Sequence, residues 1–237
     1  MRLKRYLTAL SRYHRSKGHG IHSPFAFSFV LNVLRCRLPY YAYEEIATLR
    51  ELAYTKTKTF WRRPKIISVK NAKLLFRIVN HFNPTAILQI GTNYGVSSAS
   101  MLAVSPKTEL FLCQAGVYEY PVTQEILSHF NNKVQCFLTI DEALKAYSPY
   151  CSVDNSPFIL INTIKEEDYS HVLNYLHKVR QAKGVIIIRN LNKEKTLKAL
   201  WEACRDTAPT GMTFCNGKMG IIVATPKLPH QNFSLWF

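Results

Sequence analysis

Acidic residues are scarce in this 237-residue chain: 15, against 31 lysines and arginines, for a formal net charge of +16. None occurs from Met1 to Tyr43, and none from Leu52 to Thr108. Long apolar runs are lacking too. The longest, such as Val185–Ile188, are strand-sized and far short of a membrane span, so no transmembrane helix is expected. The six cysteines (Cys36, Cys113, Cys136, Cys151, Cys204 and Cys215) contain no CxxC pair and no tight framework. The basic stretch Met1–Lys17 lacks the apolar segment of a secretory signal. These absences exclude a disulfide scaffold and point to reduced thiols in a cytoplasmic protein. The alternative for the first residues is an Arg-rich transit peptide, although His19–Phe29 reads on as part of the fold.

Apolar residues make up 47% of the chain, enough for one substantial core. Lys56, Lys58, Arg62, Arg63, Lys65, Lys70 and Lys73 crowd one short stretch. Such a field attracts polyanions, whether nucleic acid, anionic lipid headgroups or phosphorylated metabolites; the other reading is a basic surface that binds nothing in particular. Tyr40, Tyr41, Tyr43, Phe60 and Trp61 lie beside these cations. Their rings suit either base stacking on a single strand or packing against a neighbouring domain.

The first third of the chain reads as helical and irregular. Leu3–His14 has apolar residues on one helical face, and Gly18-His19-Gly20 ends that pattern. Ser23-Pro24 looks like an N-cap followed by proline at the first helical position, opening a helix over Phe25–Leu34. Further helices are expected over Tyr43–Ala53 and Ser68–His81, with a basic loop over Tyr54–Lys65. From Ala86 onward, short apolar strands alternate with helices, which predicts a parallel sheet covered on both faces. Strands are expected at Ala86–Ile90, Leu110–Cys113, Val134–Leu138, Phe158–Ile161 and Val185–Ile188. A final hairpin turns at Asn216-Gly217. The division is therefore a basic helical cap over 1–83 and an α/β domain over 84–237.

In such a sheet, ligands sit beyond the carboxyl ends of the strands. The end of the first strand carries Gln89-Ile90-Gly91-Thr92-Asn93-Tyr94-Gly95-Val96-Ser97. Glycines at a strand-to-helix turn let backbone approach a ligand closely; the other reading is a tight turn with no ligand. His19 and His22 could serve as a general base or bind phosphate, or His22-Ser23-Pro24 could be a capping turn alone. Glu166-Glu167-Asp168, the one acidic cluster, sits where a helix should start and reads as structural.

Leu88–Ser97 resembles motif I of class I S-adenosylmethionine-dependent methyltransferases, in the small-molecule O-methyltransferase form E-x-G-T-x-x-G-x-S. The resemblance extends in strand order over roughly Thr85–Ala224. Gly18–Phe25, the closing Gly220–Val223 and His230–Phe237 are similar to a group of uncharacterised bacterial methyltransferase-like proteins. This likeness implies a doubly wound, mostly parallel, seven-stranded Rossmann-like sheet with a C-terminal antiparallel hairpin and an N-terminal helical cap. It also implies S-adenosylmethionine as cofactor, held by Gln89, Gly91, Thr92, Asn93, Gly95, Ser97, Gln114 and Asn162.

The departures from the family pattern are informative. Gln89 stands for the acid of motif I, Gln114 for the ribose-binding acid after the second strand, and Asn162 for the aspartate after the fourth. Arg189-Asn190 replaces the acidic pair after the fifth strand in metal-dependent members. These residues supply no negative charge for a hard cation, so no metal is expected. Arg189 either puts its guanidinium where the metal would sit or points to solvent. His22 and Arg189 are the catalytic candidates. The crevice after strands 1, 2, 4 and 5 is expected to take a small molecule, unless Tyr94 or Tyr118 fills it. Three functions follow: a pseudoenzyme with weakened or lost cofactor binding, an active metal-independent methyltransferase, or a polyanion-binding protein using the basic cap.

Overall fold

The computed structural model describes residues 11–58, 65–113, 119–151, 156–181, 183–207 and 210–237. The expected features at Leu3–Leu10, Phe60–Arg63, Gln114 and Tyr118 lie outside them. The chain forms two compact units, Leu38–Ile164 and, from two segments, Met1–Arg37 with Lys165–Phe237.

In the unit Leu38–Ile164, helices Ala42–Lys58 and Val69–Phe82 precede four strands: β1 Ala86–Ile90, β2 Glu109–Cys113, β3 Val134–Phe137 and β4 Phe158–Ile161. Helix Val69–Phe82 starts because the Ser68 hydroxyl accepts the Asn71 N–H, and it stops at Asn83, which is left-handed. Its buried residues Ala72, Leu75, Ile78 and Val79 recur at helical spacing along one face. The strands run in the order β3-β2-β1-β4, all parallel. β1 and β4 are buried at every residue, as parallel strands covered on both faces require. Ile90 pairs with both Cys113 and Ile161, so β1, β2 and β4 end level and release their following loops at one edge.

Helices Val96–Leu102, Tyr120–Leu127 and Ile140–Tyr147 connect these strands. The last is pinned by its Tyr147 hydroxyl, which accepts the Phe158 N–H at 2.8 Å and lies 3.3 Å from the Ala86 carbonyl oxygen. Burial and the lost hydration of the phenolate push this tyrosine's pKa far up, so the hydroxyl remains a neutral partner.

The other unit contains β5 Gly184–Arg189, β6 Met212–Cys215, β7 Met219–Ala224 and β8 Gln231–Ser234. β7 lies antiparallel between β5 and β6, and β8 runs parallel to β6. The hairpin between β6 and β7 turns as expected at Asn216-Gly217. The Asn216 side chain accepts the Lys218 and Met219 N–H groups, both at 2.9 Å, and Gly217 is left-handed. Helices Tyr169–Gln181 and Lys195–Asp206 belong to this unit, as does Pro24–Phe29, capped by Ser23 with proline in its first turn.

Several boundaries differ from expectation for physical reasons. The segment Tyr54–Lys58 continues helix Ala42–Lys58, where the buried Thr57 hydroxyl donates to the Ala53 carbonyl at 2.7 Å. Beyond Phe29 the chain widens into a π-helical turn over Val30–Leu34, which buries Val30, Val33 and Leu34. β8 makes eight strands among the described residues, one more than expected. Its Gln-Asn-Phe-Ser sequence has a single apolar residue, and its pairing with β6 defines it. Arg12 ties the N-terminal segment to this strand, its Nε donating to the Ser234 hydroxyl at 2.8 Å.

Candidate functional site

The turn after β1 is left-handed at four positions: Gly91 (φ +83°), Asn93 (+50°), Tyr94 (+57°) and Gly95 (+76°). Two consecutive non-glycine residues in this region are unusual, and each costs roughly 1–2 kcal/mol for an L-residue. The chain's own packing explains both glycines. A Cβ at Gly91 would come within 2.8 Å of Thr163 Cγ2 and 3.2 Å of Asn162 Cβ. One at Gly95 would lie 3.1 Å from Thr123 Cα and from Ile126 Cβ.

A network of side-chain amides holds this strained turn. Gln89 is fully buried, and its Nε2 donates to the Gly91 carbonyl (2.8 Å), the Ser97 hydroxyl (3.0 Å) and the Thr92 carbonyl (3.2 Å). Its Oε1 accepts the Ser98 hydroxyl at 2.9 Å. Asn162, at the end of β4, also donates to the Gly91 carbonyl (2.7 Å) and to Ser97 Oγ (3.3 Å). One carbonyl oxygen therefore receives two amide donors. A carboxylate at either position would set negative oxygens against that carbonyl, so the neutral residues at 89 and 162 have a structural use.

Asn93 fastens the turn on its other side. Its Oδ1 accepts the Ile67 N–H at 2.8 Å, and its Nδ2 donates to the Lys65 carbonyl at 3.1 Å. Thr92 donates its hydroxyl to the carboxylate of Glu119. Tyr94 is buried, 7% exposed. Burial, and then the negative charge of Glu119, push its phenol pKa up.

Gln89, Gly91, Thr92, Asn93, Gly95, Ser97 and Asn162 are thus brought together, and every one of them contacts other parts of the chain. Sequence reasoning missed Glu119. The signal for it was an acid directly before Tyr120-Pro121, at the start of helix Tyr120–Leu127.

His22 and Arg189 belong to the other unit. His22 is exposed beside the Ser23 cap. Arg189 ends β5 opposite Met219 and is 5% exposed, so it does not point to solvent. Burial lowers its guanidinium pKa to about 10. Asn190 follows in a left-handed conformation. The acids at 166–168 come just before helix Tyr169–Gln181, as a helix start should.

Near the basic stretch, the rings of Tyr40, Tyr41 and Tyr43 all pack on Phe76, with centroids 5.3 to 5.9 Å apart. Lys73 lies over the Tyr43 ring, and Arg77 donates to its hydroxyl. Tyr40 and Tyr43 are half-buried by this packing, whereas Tyr41 is exposed. Among the described residues, no group of three or more His, Cys, Asp or Glu side chains could hold a metal ion, no disulfide links the cysteines, and no helix is long and apolar enough to cross a membrane.

No protein-family model matches the sequence, and no curated protein matches it. Solved structures do match the fold. An O-methyltransferase from Bacillus cereus in complex with SAH is 15% identical with a TM-score of 0.56, covering 81% of this chain and 96% of that one. The O-methyltransferase TomG of Streptomyces achromogenes, involved in tomaymycin synthesis and in complex with SAM, is 13% identical with a TM-score of 0.55, covering 84% and 96%. The SAH-bound methyltransferase PaMTH1 of Podospora anserina is 10% identical with a TM-score of 0.53, covering 80% and 99%.

Proposed function

We propose that this chain, whose fold is that of the class I S-adenosylmethionine-dependent methyltransferases, binds S-adenosylmethionine at the turn after β1 and passes the methyl group to an acceptor without a metal ion. The observation that carries this reading is the strained left-handed turn, kept in shape by Gln89 and Asn162 at the level ends of β1 and β4. Strain of this kind persists only where the surroundings enforce it, and it gathers at ligand clamps. The turn's backbone at Gly91, Thr92 and Asn93 would hold the ligand, with Gln114 at the ribose.

The sulfonium of the ligand supplies an electrophilic methyl group. The protein's task is then mainly alignment, with a base where the acceptor loses a proton. His22 and Arg189, the sequence's candidates for a base and a fixed positive charge, belong to the other unit and are given no role at this turn. The donor set supports a metal-free reaction, because Asn162, Arg189 and Asn190 offer no carboxylate oxygen. Replacing a charged ribose partner by Gln114 weakens binding by about 1–3 kcal/mol. The reduced form of the cysteines supports a cytoplasmic setting.

The second reading is a pseudoenzyme. It is favoured by the side chains of Gln89, Asn93 and Asn162, whose hydrogen bonds serve the protein itself. Calorimetric titration with S-adenosylmethionine and S-adenosylhomocysteine, with a Gln114→Glu variant alongside, separates the two. Micromolar binding by the wild type supports the transferase. Binding seen only in the variant supports the pseudoenzyme. Binding in neither removes the adenosyl ligand altogether, and the basic region would then be tested for polyanion binding that falls steeply with salt.

A further inference from the structure

The structure divides the basic stretch into cations that are neutralised and cations that are not. Lys56 pairs with Glu125 at 3.1 Å, and Arg50 with Glu51. Lys65 and Lys70 are exposed and Lys73 half-exposed, and none of the three lies in an ion pair among the described residues. No acid occurs from Leu52 to Thr108 to compensate them.

The backbone that carries these lysines is fixed. Asn93, in the turn after β1, donates to the Lys65 carbonyl and accepts the Ile67 N–H, and Arg50 Nε donates to the Ile67 carbonyl at 3.2 Å. Lys70 then stands in the first turn of helix Val69–Phe82, which has no acid there. A cation at that end opposes the helix dipole, so Lys70 does not serve the stability of its own helix. Lys73 and Arg77 follow three and seven positions on, along the same face. Tyr43 steadies both, with Lys73 Nζ 4.6 Å from its ring centroid and its hydroxyl accepting from Arg77 at 3.0 Å. At the helical rise, Lys70 to Arg77 spans about 10 Å, more than a single phosphate group covers.

We propose that the face bearing Lys65, Lys70 and Lys73 binds the phosphodiester backbone of a nucleic-acid strand. A row of fixed, uncompensated cations matches a polymer of evenly spaced anions. An anionic bilayer is matched less well, because it takes apolar side chains beside the cations. Neither helix Ala42–Lys58 nor helix Val69–Phe82 exposes a large hydrophobic residue. Backbone contacts of this kind carry affinity without reading bases, so binding should show little sequence preference. The proposal goes beyond the adenosyl-ligand reading and does not depend on it.

Fluorescence anisotropy with labelled single-stranded RNA and DNA of one mixed sequence, followed across salt concentration, tests it. Two variants of the full chain lose equal charge. One combines Lys65→Gln, Lys70→Gln and Lys73→Gln; the other combines Lys178→Gln, Lys218→Gln and Lys227→Gln, three exposed lysines of the other unit. The first should lose ten-fold or more in affinity and lower the logarithmic salt slope by about 2, at roughly 0.7 per released counterion on a single strand. The second should stay close to wild type. Lys70→Gln alone should lower the slope by about a third of that amount without lowering the melting temperature, and it serves if the triple variant does not fold. Tighter binding of RNA or of DNA identifies which strand the face takes. Equal loss in both triple variants, or loss in neither, overturns the assignment, because net charge alone would then account for binding. So does a wild type that binds neither strand, one that binds only vesicles of anionic lipid, or one from which pyrophosphate at equal concentration displaces the strand. Titration of the first triple variant with S-adenosylhomocysteine reports separately on the turn after β1.

Discussion

Two turns of this molecule are built on asparagine, glycine and side-chain hydrogen bonds, and they are held in opposite ways. At the β6–β7 hairpin, Asn216 accepts N–H groups two and three residues ahead, and Gly217 supplies the left-handed position. Those local bonds set its shape, and Asn216 Nδ2 also donates to the Phe237 carbonyl at 3.1 Å while Arg12 Nη1 donates to the Asn216 carbonyl at 3.4 Å. At the turn after β1, the Gly91 carbonyl is held by Asn162, 71 positions away, and Asn93 is tied to residues 65 and 67. A locally held turn is a connection. The turn held by distant residues is the one proposed above to bind a ligand.

That contrast can be broken most severely at Gln89. Gln89→Glu would bury a carboxylate against two carbonyl oxygens and remove their donors, a loss of about 3 kcal/mol or more at neutral pH. Burial raises such a carboxyl's folded pKa above its unfolded value. The folded state therefore holds the proton more tightly, and the defect should shrink as pH falls and grow as pH rises. Urea unfolding at pH 5 and pH 8 reads both effects; identical stability to wild type at both would show that the amide network does not hold the turn.

The hairpin has a steric limit of its own at Gly220. A Cβ there would lie 2.3 Å from the Trp201 ring, so Gly220→Ala should cost about 2–3 kcal/mol in thermal unfolding through forced repacking. Asn162→Ala removes two donated bonds and should cost about 2 kcal/mol, with faster hydrogen exchange confined to the turn after β1. The smallest effect belongs to Asn216→Ala. Its loss of about 1 kcal/mol should leave the register of β6 and β7 intact by amide exchange, because Gly217 and the strands remain. A larger loss at Asn216 than at Asn162 would invert the comparison.

The same distinction explains what could be read from the sequence. β1 and β4 were legible to the residue because a fully buried parallel strand is a continuous apolar run. The cap at Ser23-Pro24 and the hairpin were legible because their causes are local. β8 was not, since Gln231–Ser234 has no apolar alternation and exists through its pairing with β6. Nor was the continuation of helix Ala42–Lys58 past Ala53, where lysines and threonines hide the pattern. At the turn after β1, the motif resemblance singled out Gln89, Gly91 and Asn162, which the structure brings together. It did not tell that the first and last donate to the middle one, because that depends on β1 and β4 being neighbours. Glu119 escaped because its partner Thr92 lies 27 positions back.

The shared Gly91 carbonyl also constrains how this chain can change over generations. With one acceptor serving two amides, introducing an acid at position 89 or at position 162 alone passes through a destabilised intermediate, whichever comes first. The two positions form an epistatic pair, and their exchange in related lineages should be concerted. Chains close to this one should carry Gln and Asn together, and the rare single replacement should be accompanied by a change at Ser97, the hydroxyl that both amides also reach.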